Sequence, residues 1–268
     1  MVRAQTPQRT RHTLARLTTL TYPHPAPCPL FTGHRAGCFR SRQNQQSRHR
    51  HHTLKNLKVN HYTLPQLPLS EIPAWLDSLE EPFHDIDTVN WAAYPYRPSA
   101  RFRIVATPEG FVLNFSVSEA SVAAVAEGDG GKVWEDSCVE FFSSPADDGI
   151  YYNVECNCVG TVLVAAGKDR NARTPAPAEV MQQIQRWSSL GRENFSERIG
   201  QTDWQVVLLI PYGVWFQHDI AHVEGRTLRA NFYKCGDKLQ TPHFLSWNAI
   251  DVPQPDFHRP DFFGTLQC

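Results

Sequence analysis

Before Glu71 the chain has no acidic residue, and before Lys55 it has no lysine. These absences split a protein whose formal net charge, −1 over 268 residues, looks neutral. Eleven of the 26 basic residues and none of the 27 acids precede Glu71. Residues 71–268 therefore carry 15 basic and 27 acidic side chains, a net of −12, so the two parts are read separately. No apolar run is long enough to cross a bilayer, and no apolar stretch near Met1 suits a secretory signal. A cytoplasmic location is the default expectation, with neither membrane nor nucleic acid as a partner. Missing too are a G-x-S-x-G elbow, an H-E-x-x-H pair and a P-loop, which removes the sequence basis for three large enzyme classes.

The first 53 residues hold nine Arg and six His, with no apolar period of 2 or 3.6. Such a segment buries too little surface to offset its ordering entropy. It is expected to be a disordered basic extension in front of one folded domain, residues 54–268. A mis-called upstream start is the blandest reading of it, beside a basic nucleic-acid arm or a transit peptide. The seven cysteines are an odd number, and without a secretory signal free thiols are expected. Cys156 and Cys158 have one residue between them, where a zinc knuckle needs two to four. On a strand their side chains share a face, as small core residues would.

The spacing of Ile72, Trp75, Leu76 and Leu79 predicts a short helix capped by Ser70. The period then changes to two. Arg101–Val105 and Phe111–Val117 read as strands joined by a turn at Pro108-Glu109-Gly110. Further strands are expected at Cys138–Ser143, Tyr151–Cys158, Thr161–Ala165, Trp204–Ile210 and Leu228–Phe232. Ala178–Leu190 reads as a second helix, and Asp251–Phe263 as an ordered loop. Many alternating strands with few helices argue for an all-β fold, a two-sheet antiparallel β-sandwich with one or two short helices.

Sugar binding needs flat rings for the C–H faces of a pyranose and polar groups for its hydroxyls. The stretch from Val133 to Phe142 offers both, with Trp134 after the flexible Gly128-Asp129-Gly130-Gly131 and acids at Glu135, Asp136 and Glu140. Alternation puts Asn153, Glu155 and Asn157 on one strand face. Three such groups make either a solvated surface or the floor of a polar site, and spacing alone favours the surface. Trp247 ends another strand, although core packing is the usual fate of any one tryptophan.

The motifs Val133-Trp134-Glu135-Asp136-Ser137-Cys138-Val139-Glu140-Phe141-Phe142, Arg229-Ala230-Asn231-Phe232-Tyr233-Lys234-Cys235-Gly236-Asp237, His243-Phe244-Leu245-Ser246-Trp247 and Pro255-Asp256-Phe257-His258-Arg259-Pro260 have a further meaning. From about Lys55 to Leu266 the chain resembles the family 9-like carbohydrate-binding modules, stand-alone DOMON-like, jelly-roll-like sandwiches of gut Bacteroidetes. The resemblance implies non-catalytic binding of glycan or oligosaccharide ends between two tryptophans, in support of carbohydrate catabolism. Trp134 and Glu140 match the first tryptophan and the acid six residues on, and Trp247 matches the second. Two positions depart from the pattern. Glu155-x-Asn157 stands where an Arg-x-Asn pair is expected, and Phe244 stands where an Asn precedes the second tryptophan. The implied site is Trp134 facing Trp247 across a slot, with Glu140, Glu155 and Asn157 on its polar side. Expected partners are a carbohydrate ligand and a glycoside hydrolase that the module assists. No cofactor is expected; some founding members hold structural calcium, but no D-x-[DN]-x-[DN]-G loop occurs here.

Two rival classes are weighed against this. A glycosidase needs two carboxyls about 5–10 Å apart, which Glu140 and Glu155 on neighbouring strands would supply. A haem or redox domain needs an axial Met or His inside the sandwich, and Met181 and five histidines are its only candidates.

Overall fold

The computed structural model describes residues 53–268. The basic extension expected over residues 1–53 lies outside the described residues, apart from Thr53. Within them, seven longer strands carry the fold: β1 (Ser99–Ala106), β2 (Gly110–Ala124), β3 (Cys138–Ser144), β4 (Tyr151–Asn157), β5 (Val162–Gly167), β6 (Phe195–Pro211) and β7 (Thr227–Cys235). Successive side chains of each strand point to opposite faces, so one face of each sheet turns inward.

Among the described residues the strands form two sheets, one of nine strands and one of six. The first runs β7-β3-β4-β5 through its centre, flanked by Asn56–Lys58 and Gly264–Gln267 on one side and Thr174–Pro175 on the other. The second runs from Gln185–Ser188 through β6, β2 and β1 to Asn60–His61. The segment from Asn56 to His61 joins an edge of each sheet in turn, with parallel pairing both times. Apart from those two joins, the strand pairs are antiparallel. The expected turn at Pro108-Glu109-Gly110 is there, closed by the Thr107 amide on the Gly110 carbonyl.

The inner faces meet in an aromatic core. Phe102, Phe141 and Phe232 stack across it, with ring centres 3.5 and 5.1 Å apart on either side of Phe232. Cys156 and Cys158 pack inward, as strand alternation requires. The five described cysteines carry free thiols.

Buried with this core is an ion pair, Lys234 Nζ to Glu119 Oε2 at 2.9 Å. It is a charge contact rather than an aligned hydrogen bond. The Trp204 indole donates to Glu119 Oε1 at 2.7 Å, and Lys234 reaches His243 Nε2 at 2.7 Å. Burial, with Lys234 beside it, pushes His243 down to about 2, so its ring is neutral and Nε2 accepts from the ammonium.

Both helix expectations need correction. The first helix is Ile72–Ser78, led in by a 3-10 turn at Leu69–Glu71, and Ser70 makes no side-chain cap. Pro73 starts it instead, since its missing N–H is needless in the first turn. The second is shorter than expected: Ala178–Gln182 is helical, but Gln185–Ser188 is a strand paired with Leu209–Val206 of β6. An unpaired strand edge offers a row of backbone donors and acceptors, and pairing with it outweighs continuing a short helix. Among the described residues no helix is long and apolar enough to cross a membrane.

Candidate functional site

The outer face of the first sheet carries polar residues that are nonetheless buried. Strand register makes Tyr233, Glu140, Glu155 and Leu163 one row across β7, β3, β4 and β5. The next row is Asn231, Phe142, Asn153 and Ala165. Loops rise around these rows and enclose a pocket of about 600 Å³, within the usual range for a small-molecule site. Glu140 and Glu155 form its floor and are 2% and 4% exposed. The Asn153–Glu155–Asn157 face is therefore buried rather than solvated, with Asn153 and Glu155 lining the pocket.

Trp134 enters from a 3-10 turn, Val133–Glu135, and is half-buried at the pocket wall. The preceding loop is pinned. Gly130 takes φ +81°, and the Asp129 carboxylate holds Arg186 through two contacts of 2.7 Å. Tyr94, Phe244 and Phe257 add apolar surface to the lining. Phe244 packs edge-on to Tyr94, and Phe257 stacks on Tyr233 at 4.2 Å. These rings thus have partners of their own away from Trp134.

The electrostatics follow from burial. Removal from water raises both floor carboxyls, Glu155 to about 7 and Glu140 well above the usual range, where the neighbouring Glu155 charge pushes it further. Asp237 at the rim is raised to about 6, mainly by burial. Arg173 supplies positive charge: it donates to the carbonyls of Gly167, Tyr151 and Ala165 and to Asn153 Oδ1. Its guanidinium covers the Tyr151 ring at 4.1 Å. Asn153 in turn donates to Glu155 Oε1 at 2.9 Å, while Glu155 Oε2 has no hydrogen-bond partner. His258 accepts or donates at 3.0 Å to Tyr151, and burial beside Arg173 and Arg170 lowers it to about 3.

Three of the expected site residues, Trp134, Glu140 and Glu155, meet at this pocket. Trp247 does not, and the two-tryptophan slot is corrected. It is 4% exposed and sits edge-on to Phe102 and Phe232 in the core, at 5.8 and 5.6 Å. The parity of its strand is the reason: Leu245 and Trp247 share the inward side, and Phe244, one residue off, reaches the pocket. Asn157 is also displaced from the site. Fully buried, it donates to Asp136 Oδ2 at 2.9 Å and accepts from the amides of Val159 and Thr161. Asp136 then accepts from the amides of Val125 and Ala126, so Asn157 braces the loops behind Trp134.

Sequence reasoning missed Arg173, Asp237 and the aromatic wall. The Asp251–Phe263 stretch reads as an ordered loop, and the Pro-Asp-Phe-His run within it was the one signal for Phe257. Arg173 lies in a turn with no local pattern pointing to it.

Among the described residues, one group of metal-ligating side chains lies within mutual reach: Cys138, Glu140 and Cys235. Its two sulfurs do not suit calcium, which takes oxygen ligands.

A structure from Bacteroides uniformis, of a protein designated carbohydrate-binding, is 48% identical with a TM-score of 0.78, covering 80% of this chain and 99% of that one. Two structures of a family 9 carbohydrate-binding module from Caldicellulosiruptor kristjanssonii, in complex with glucose and with cellotriose, align at 11% and 10% identity. Each has a TM-score of 0.48 and covers 80% of this chain, and 95% and 93% of the other. No curated protein matches the chain. The model of carbohydrate-binding family 9 matches residues 70–268, so the chain belongs to that family and is a binding module rather than an enzyme.

Proposed function

We propose that the pocket over β3, β4 and β5 is the carbohydrate site, and that it takes the end of a glycan or a short oligosaccharide. The observation that carries this is the pairing of Trp134, half-buried on one wall, with a buried polar floor of Glu140 and Glu155. A pyranose lying on the indole gains dispersion and hydrophobic contact over its C–H face. Its hydroxyls then meet a floor that can both accept and donate. Burial raises both neighbouring carboxyls, and a carboxyl accepts in its ionised form and donates in its protonated one. Asn153 and Arg173 fix the geometry of Glu155 from behind. Closure of the floor by the sheet favours a chain end over the middle of a long polymer. In this reading Phe244, Phe257 and Tyr94 replace the second tryptophan as apolar lining. The protein would serve a glycoside hydrolase by holding its glycan.

A glycan array probed with the full chain tests this, followed by calorimetry with the best ligand. Retention of a defined oligosaccharide class, abolished by Trp134→Ala, is the expected result. No retention of any glycan, or unchanged affinity in Trp134→Ala, would overturn it.

A further inference from the structure

Cys138 and Cys235 lie directly opposite each other on β3 and β7, and Glu140 is two residues along β3 on the same outer face. Their sulfur atoms and a Glu140 carboxylate oxygen all lie within 4.8 Å of one another. All three residues are buried. The Cys235 thiol donates to Glu140 Oε1 at 3.1 Å. A carboxylate removed from water normally gathers strong donors. Here its hydrogen-bond partner is a thiol, a weak donor, and the opposite carboxyl, Glu155, has an oxygen with no partner at all. Among the described residues, no Lys or Arg side chain hydrogen-bonds to the Glu140 or Glu155 carboxyl.

We propose that Cys138, Cys235 and Glu140 form a binding site for a thiophilic divalent cation of the zinc class. Tetrahedral zinc with bonds of about 2.3 Å to sulfur and about 2.0–2.2 Å to oxygen holds its donors about 3.5–4 Å apart. Donors already within 4.8 Å reach that spacing by small side-chain rotations, because strand pairing fixes the backbones. Two thiolates select zinc or cadmium over calcium and magnesium, which take oxygen. Binding releases both thiol protons, and any proton held by Glu140, to solvent; the three anionic donors outweigh the dication by one negative charge, in a pocket also lined by Arg170 and Arg173. Cys235 and Glu140 line the pocket and Cys138 lies beneath, so the fourth position faces the pocket. Three protein ligands with one open position is an arrangement that admits an exogenous oxygen donor. A hydroxyl of the bound ligand would take that position; this coupling rests on the carbohydrate reading, whereas the metal site itself does not.

The test uses the full chain, reduced, stripped with chelator and free of sugar. Cadmium is titrated as a spectroscopic probe, and zinc is measured by competition with a chromophoric chelator. One equivalent should bind with a thiolate-to-cadmium charge-transfer band in the ultraviolet. Cys235→Ser and Cys138→Ser should each remove the band, and Glu140→Gln should weaken zinc at least about tenfold, the order expected for loss of one ligand interaction. Cys156→Ala and the double variant Cys28→Ala/Cys38→Ala should keep it. On the wild-type protein, where no variant can misfold, zinc should shield Cys138 and Cys235 from alkylation mapped by mass spectrometry. No stoichiometric band, a band unaffected by the two serine variants, or no shielding overturns the proposal. So does a Cys138–Cys235 disulfide in protein purified without reductant. Glycan affinity measured in chelator reports separately on the carbohydrate reading.

Discussion

Glu140 and Glu155 face each other across neighbouring strands at the floor of the pocket, both buried, with only Asn153 and a thiol donating to them. Like charges directly opposite on a sheet are destabilising. On the proposed carbohydrate reading, the site trades fold stability for a pair of hydroxyl-binding groups.

That trade gives a pH dependence of known sign. Glu155 is raised from its ordinary 4.5 to about 7, so the folded state binds its proton more tightly than the unfolded chain. Its unfavourable contribution is absent below about pH 4.5 and grows as pH rises through 7. Glu155→Gln should gain stability relative to the natural protein over that window, by about 1–3 kcal/mol at pH 8. Urea melts at pH 4.5, 6 and 8 measure it. A constant difference between the two proteins at all three values would show that the carboxyl is not strained by burial. His258, lowered to about 3, acts the other way: its contribution is present above about 6.5 and is lost as pH falls.

The two tryptophans should separate cleanly. Trp134→Ala should stay folded and lose about 2–4 kcal/mol of ligand affinity, as for a hot-spot aromatic. Trp247→Ala removes a ring packed on Phe102 and Phe232, and should lose about 3–5 kcal/mol of folding stability. Calorimetry and denaturant melts on both variants decide it. Equal stability losses would place Trp134 in the core as well.

Asn157→Ala should act on the scaffold. It strips partners from Asp136 and from the amides of Val159 and Thr161, all out of reach of bulk water. A stability loss of about 1–3 kcal/mol is expected. Ligand affinity should fall less than in Trp134→Ala, and an affinity loss with unchanged melting would instead make Asn157 a ligand contact.

The buried ion pair offers a fourth test. Lys234→Met leaves Glu119 charged in the core beside Trp204 and should cost about 3–5 kcal/mol. The double variant Lys234→Met/Glu119→Leu should recover much of that, because replacing both charges removes the unpaired one. Thermal melts of the two variants side by side give the answer, with no recovery counting against the pairing.

Alternation by itself determined the sandwich, most of its longer strands and the inward thiols of Cys156 and Cys158, because period two is a local property; it did not reach the strand at Gln185–Ser188, which only pairing with β6 decides. It also put Glu155 and Asn153 on one face, and the run from Val133 to Phe142 marked Trp134 and Glu140. Tertiary structure decided what those faces meet. Whether Glu155 lies under solvent or under loops depends on segments about 80 to 100 residues away, around Phe244 and Phe257. Whether Trp247 looks outward depends on the parity of one short strand against β7. Arg173 gains its place from the carbonyls of β4 and β5, which no pattern in its own turn encodes. Cys138, Cys235 and Glu140 converge only because two strands nearly a hundred residues apart in sequence pair in one register, and pairing register is fixed by the whole buried face rather than by either strand.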